Sequence, residues 1–190
     1  MNNDNLTRFS ITGLFLVSQI LIMLGLAWQG HLDYVRSVMV TTLCWIGYTF
    51  LEARYQLYMN HYVRVIMVIT LISDAFFGYY LNLYATSFVF DKMLHVFGTY
   101  TFSLFAYILV VQLLNNPVKQ SFKFILVVCL GLSIGTFYEV LEFITDLISH
   151  PVPPSQPSLL DTDLDLMGDV IGAVLSAIHS TYRTFMDDRF

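Results

Sequence analysis

Residues 122–145, FKFILVVCLGLSIGTFYEVLEFIT, decide the fold. As a helix rising about 1.5 Å per residue, this stretch is long enough to cross the roughly 30 Å hydrocarbon core of a bilayer. No charge interrupts it from Phe124 to Tyr138, and then Glu139 and Glu142 arrive before the apolar run has ended. A carboxylate inside hydrocarbon costs roughly 2.5–3.5 kcal/mol on insertion scales, so such acids point to function. The segment therefore predicts a membrane helix that carries a polar site.

The rest of the chain is of the same kind. Of its 190 residues 56% are hydrophobic and 12% charged, with a mean hydropathy of +0.65; a soluble domain carries about a quarter charged residues. Five more apolar stretches, about 9–29, 34–51, 63–84, 93–114 and 165–185, meet the length of a spanning helix. Turn signals separate them: Gly30 to Asp33, Asn60-His61, Asn115-Asn116-Pro117, and HPVPPSQPS with four of the five prolines. The first stretch lacks a small-x-small cleavage site and is expected to stay as a helix. The expectation is one all-α membrane domain, residues 1–190, built as a bundle of six transmembrane helices. The net charge of −5 comes from acids gathered in motifs, and no basic arm suggests nucleic acid. Cys44 and Cys129 are too few and too isolated for a disulfide framework or thiolate metal site, and are expected as small core residues.

Orientation follows from the preference of Lys and Arg for the cytoplasm. Arg8, Arg54, Arg64, Lys119, Lys123, Arg183 and Arg189 fall on one side of the six-helix scheme, against Arg36 and Lys92 on the other. Both termini are then cytoplasmic and HPVPPSQPS lies outside. In that scheme three motifs reach one depth near the outer surface: Asp91-Lys92 with His95, Glu139-Glu142 with Asp146, and Asp161, Asp165 and Asp169. Asp91 and His95 are one helical turn apart, as are Asp165 and Asp169; Glu139, Glu142 and Asp146 line one side of a helix. Gly131/Gly135 and Gly168/Gly172, both Gly-x-x-x-Gly, predict a close contact between the fifth and sixth helices. Val127 is expected to face lipid.

Oxygen ligands with one imidazole suit Mg²⁺, Mn²⁺, Ca²⁺, Zn²⁺ or non-haem iron. The expected metal ligands are His95, Glu139, Glu142, Asp165 and Asp169, with the identity of the divalent cation left open. His95 and Glu139 are the candidate catalytic residues, and Asp91, Lys92, Asp146 and Asp161 complete a substrate or polar network. Asp161 also suits a helix N-terminus, where acids are favoured, and Lys92 is expected to pair with Asp91. GLSIG (Gly131 to Gly135) matches a nucleophilic-serine pattern, but that elbow needs a strand-to-helix turn. Ser133 and His179 also differ in depth by roughly 8 Å, so close packing is the better account. Asp74, alone in the third helix, is expected to hydrogen-bond a neighbour.

At these residues the chain resembles the uncharacterised YjdF-like, VanZ-related bacterial inner-membrane proteins. The carriers are D-K-x-x-H (Asp91, Lys92, His95), Y-E-x-x-E (Tyr138, Glu139, Glu142) and D-T-x-x-D-x-x-x-D (Asp161, Thr162, Asp165, Asp169), followed by Gly172-Ala173. The resemblance covers the second half of the chain. It implies a small multi-pass protein of the bacterial inner membrane with a link to the cell envelope, and supplies no chemistry. The Pro-rich loop between Ser149 and Leu160 departs from the Gly-rich one expected there. Two functions follow. One is a cation site acting on a lipid-linked or cell-envelope substrate among membrane lipids. The other is a non-enzymatic protein, an ion-coupled transporter or assembly factor, whose acidic network locks the helices. A transporter lacks support from an internal repeat or an interrupted helix pair.

Overall fold

The computed structural model describes residues 3–114 and 119–182. Among them every regular element is a helix, as the sequence predicts: α1 (Asn3–Gln29), α2 (Leu32–Tyr55), α3 (His61–Ser73), a π-helical continuation (Asp74–Tyr80), α4 (Leu83–Thr86), α5 (Phe88–Leu113), α6 (Gln120–Ser149) and α7 (Leu159–Tyr182). They form two compact units, Met1–Thr86 and Ser87–Phe190.

Local chemistry sets the boundaries. Gly30, at φ +84°, makes the turn after α1. Asn60 starts α3 by accepting the Tyr62 N–H at 2.7 Å, and Ser158 Oγ accepts the Asp161 N–H at 3.1 Å in the first turn of α7. Helix α6 stops where His150 turns left-handed ahead of Pro151. Three expected helices start five or six residues before their apolar runs: α1 at Asn3 rather than near residue 9, α5 at Phe88 rather than near 93, and α7 at Leu159 rather than near 165. Polar caps and charged first turns extend a helix beyond its hydrophobic stretch. The third expected helix is interrupted before Tyr84: its π turns end at Tyr80, and α4 begins anew at Leu83. A wider turn changes the helical period, which apolar spacing alone does not reveal.

Among the described residues four helices are long and apolar enough to cross a membrane: Leu6–Gln29, His61–Tyr80, Phe88–Leu113 and Gln120–Ser149. Helices α2 and α7 have the length but fall short of these four in hydropathy. Hydroxyl groups along the helices bond back to their own backbone, as in Thr42 to the Val38 carbonyl at 2.7 Å and Thr70 to that of Ile66 at 2.8 Å. Such internal satisfaction suits a medium without water.

In the first unit Ile22, Leu26, Val38 and Ala75 form a core against Tyr34, Tyr79 and Tyr80. Asp74 accepts the Tyr84 hydroxyl at 2.5 Å, the neighbour bond expected of it. A feature the sequence hid lies among α1, α2 and α3: buried Glu52 pairs with Arg64, itself wholly buried, and with Arg8 at 3.1 Å. Arg64, counted above among the cytoplasmic-side charges, belongs to the first turn of a helix and is turned inward.

In the second unit α5, α6 and α7 pack on one another, and the glycines show how. Along α6 the buried row Lys123, Val127, Gly131, Gly135, Glu139 follows an i, i+4 spacing. A Cβ on Gly131 would meet Ser103 of α5 as well as Ala173 of α7, and one on Gly135 would overlap the Asp169 side chain, so this row faces α7, as expected, and α5 beside it. Gly168 and Gly172 do not face back. They receive α5: a Cβ on Gly172 would run into the Val96 carbonyl and lie 3.0 Å from the Tyr100 backbone nitrogen. Val127, expected on the lipid side, is 0% exposed. Both cysteines are free and exposed rather than in the core.

Candidate metal centre

Three helix faces converge in the second unit. Asp91, Lys92, His95 and Thr99 come from α5, Glu139 and Glu142 from α6, and Asp161, Asp165 and Asp169 from α7. His95, Glu139, Asp161, Asp165 and Asp169 are all buried. The glycine rows make this depth reachable, because α7 lies close enough to both neighbours for short aspartates to cross between helices.

His95 is the hub. Its Nδ1 lies 3.2 Å from Asp169 Oδ1, which also accepts the Thr99 hydroxyl at 2.5 Å. Its Nε2 lies 3.7 Å from Glu139 Oε1 and 3.8 Å from both Asp91 Oδ1 and Asp165 Oδ1. Those separations exceed the roughly 2.7–3.2 Å of a hydrogen bond. His95 Nε2, Glu139 Oε1, Glu142 Oε2, Asp165 Oδ1 and Asp169 Oδ2 are buried without a hydrogen-bond partner. An unsatisfied buried polar atom costs about 1–3 kcal/mol, more when charged. Ligands about 2.0–2.2 Å from one ion stand about 3–4 Å from each other, which is the spacing around Nε2.

The remaining oxygens are engaged. Lys92 Nζ donates to Asp165 Oδ2 at 2.7 Å, to Asp161, and to Asp91 Oδ2 at 3.2 Å, so it joins α5 to α7 rather than serving Asp91 alone. Gln156 donates from Nε2 to Glu139 Oε2 at 2.7 Å and to the Glu139 carbonyl at 2.9 Å. Asp146 stands apart from the hub and fastens the Pro-rich loop instead: its two carboxylate oxygens accept the Ser155 and Gln156 N–H groups, each at 2.8 Å. Asp91, Glu139 and Asp165 thus each have one oxygen held by the protein and the other 3.7–3.8 Å from His95 Nε2.

Gln156 and Thr99 were missed in the sequence. Thr99 extends the row Asp91, His95 by one more turn and was findable on that basis. A lone glutamine in a proline-rich loop gives no comparable signal. His179 pairs with the Tyr100 hydroxyl, and Ser133 lines an exposed shallow groove on α6 with Thr136 and Phe137, which removes the Ser–His alternative.

Residues 11–184 match the family described as Predicted membrane protein (DUF2238), and the chain belongs to that family. It is also 32% identical over 100 residues to an uncharacterized protein of Thermotoga maritima, covering 53% of this chain and 52% of that one. The chain thus spans about half the length of the curated relative it matches. No solved structure matches it.

Proposed function

We propose that this DUF2238 protein is a six-span protein of the bacterial inner membrane that holds a divalent cation among α5, α6 and α7, near the outer surface. His95, Glu139, Glu142, Asp165 and Asp91 present the ligand atoms. Asp169, against the other ring nitrogen, fixes the imidazole, as carboxylates do behind metal-bound histidines. The observation that carries this reading is the convergence of unpartnered, buried Nε2, Glu139 Oε1 and Asp165 Oδ1 on one point.

A helix-locking network accounts for only half of the cluster. It explains Lys92 with Asp161 and Asp165, and Thr99 with Asp169, since each of those bonds ties α5 to α7. It leaves the atoms around Nε2 without a role, and burying them unpaired would weaken the fold it is meant to secure. When bound, a cation supplies a Lewis acid and a water acidic enough to act near neutral pH. The site is fit for transfer or hydrolysis on a lipid-linked or cell-envelope substrate, a class suggested by the VanZ-related resemblance and by outward placement.

The first test is metal content in protein purified without chelators. Wild type should carry a divalent ion, His95→Ala and Glu139→Gln should lose it, and Asp169→Asn should bind about 10–100-fold more weakly. Chelation should lower the melting temperature of wild type but not of Glu139→Gln, because a ligand at 100 times its Kd stabilises by about 2.7 kcal/mol. An unchanged wild type together with a more stable Glu139→Gln would select the locking network. Orientation has its own test. Val152→Cys, made in a background lacking Cys44 and Cys129, sits at a 93% exposed loop position. It should react with an impermeant thiol reagent in intact cells; reaction only after lysis would reverse the topology.

A further inference from the structure

The geometry points to two cations rather than one, an inference that rests on the cation-binding reading above. The ligand atoms fall into two sets, Asp91–His95–Asp165 and His95–Glu139–Glu142, within each of which all lie within 4.8 Å of one another. The sets share only His95. With ligands at about 2.0–2.2 Å, one ion spans about 4 Å, so each set is the size of a single coordination sphere.

Both sets contain unpartnered atoms. Asp165 Oδ1 belongs to the first set, on a side chain 1% exposed, and Glu139 Oε1 to the second, on one 6% exposed. Glu142 Oε2 adds a third. Charge leads to the same number. Asp91, Glu139, Glu142, Asp161, Asp165 and Asp169 face one ammonium, Lys92. With His95 neutral as a ligand, one dication would leave three negative charges together in a buried site, and two would leave one. Packed like charges of that kind oppose ionisation, and a second dication relieves them.

One ring nitrogen serves one ion. His95 therefore goes with Asp91 and Asp165, while Glu139 and Glu142 provide an all-oxygen position that suits a hard dication such as Mn²⁺ or Mg²⁺. The outer oxygens of Glu139 and Asp165 are already held, by Gln156 and Lys92, which leaves their inner oxygens 3.7 and 3.8 Å from His95 Nε2 for metal. Paired metals in proteins stand about 3.5–4 Å apart.

Mn²⁺ titration of the detergent-solubilised full chain, read by bound-metal stoichiometry and electron paramagnetic resonance, tests this. Wild type should bind two Mn²⁺ per chain and lose the six-line spectrum of an isolated ion through spin coupling. Glu142→Gln and Asp91→Asn should each bind one, with the six-line spectrum restored. One Mn²⁺ in wild type, or two that remain uncoupled, overturns the pair and leaves a single-cation site standing. Two coupled ions retained in Glu142→Gln overturn the assignment of the second position. No bound Mn²⁺ overturns both readings.

Discussion

Gly172→Leu should abolish stable packing of α5 on α7, with a loss at or above the roughly 1–3 kcal/mol usual for overpacking. The reason is what surrounds the glycine. Its missing Cβ would collide with the Val96 carbonyl, come 3.0 Å from the Tyr100 nitrogen and 3.1 Å from Thr99 Cβ. Backbone cannot rotate aside as a side-chain tip can. The helices must separate, and the reach of Asp169 to His95 and Thr99 goes with them. Gly172→Ala should already lower the melting temperature. Gly47→Leu is the matched control, because nothing lies within 4 Å of a Cβ there. Thermal unfolding in detergent should rank Gly172→Leu far below Gly47→Leu and wild type. Equal melting of the two leucine variants would refute a glycine-mediated contact.

That contact also shows how far the sequence could be read. Helical spacing identified the α6 row, with Gly131 and Gly135 below Glu139 on one buried face. Spacing carries no information on which neighbour a face meets. Both glycine rows were assigned to one interface, whereas α7 uses Asp169 and Ala173 toward α6 and its glycines toward α5. Val127 failed for a related reason. It stands one turn before Gly131 on the same buried row, yet its apolar character fits lipid and core equally well. The acidic motifs and His95 were legible because charge in hydrocarbon needs a cause. Gln156 and the hold of Asp146 on its loop were not, since both depend on long-range pairing of a segment with no period.

The Arg8–Glu52–Arg64 cluster was masked by a rule that is otherwise useful. Counting Arg64 toward the cytoplasmic side informs orientation and hides that a charge at a helix border can turn inward. Its burial sets up the largest expected effect in the first unit. Among the described residues Glu52→Met removes the counter-charge of Arg64, a side chain 1% exposed that cannot lose its proton. Breaking a buried pair this way costs about 3–5 kcal/mol. Arg64→Met should cost less, because Glu52 keeps Arg8 at 3.1 Å. The double variant Glu52→Met/Arg64→Met removes the trapped charge and should regain most of the loss, since hydrophobic replacement of a buried pair is often neutral or better. Melting temperatures should therefore rank Glu52→Met lowest, with Arg64→Met and the double variant both above it. Were Glu52→Met to melt with wild type, Arg64 would have an acceptor other than Glu52, and the pair would not secure α2 to α3.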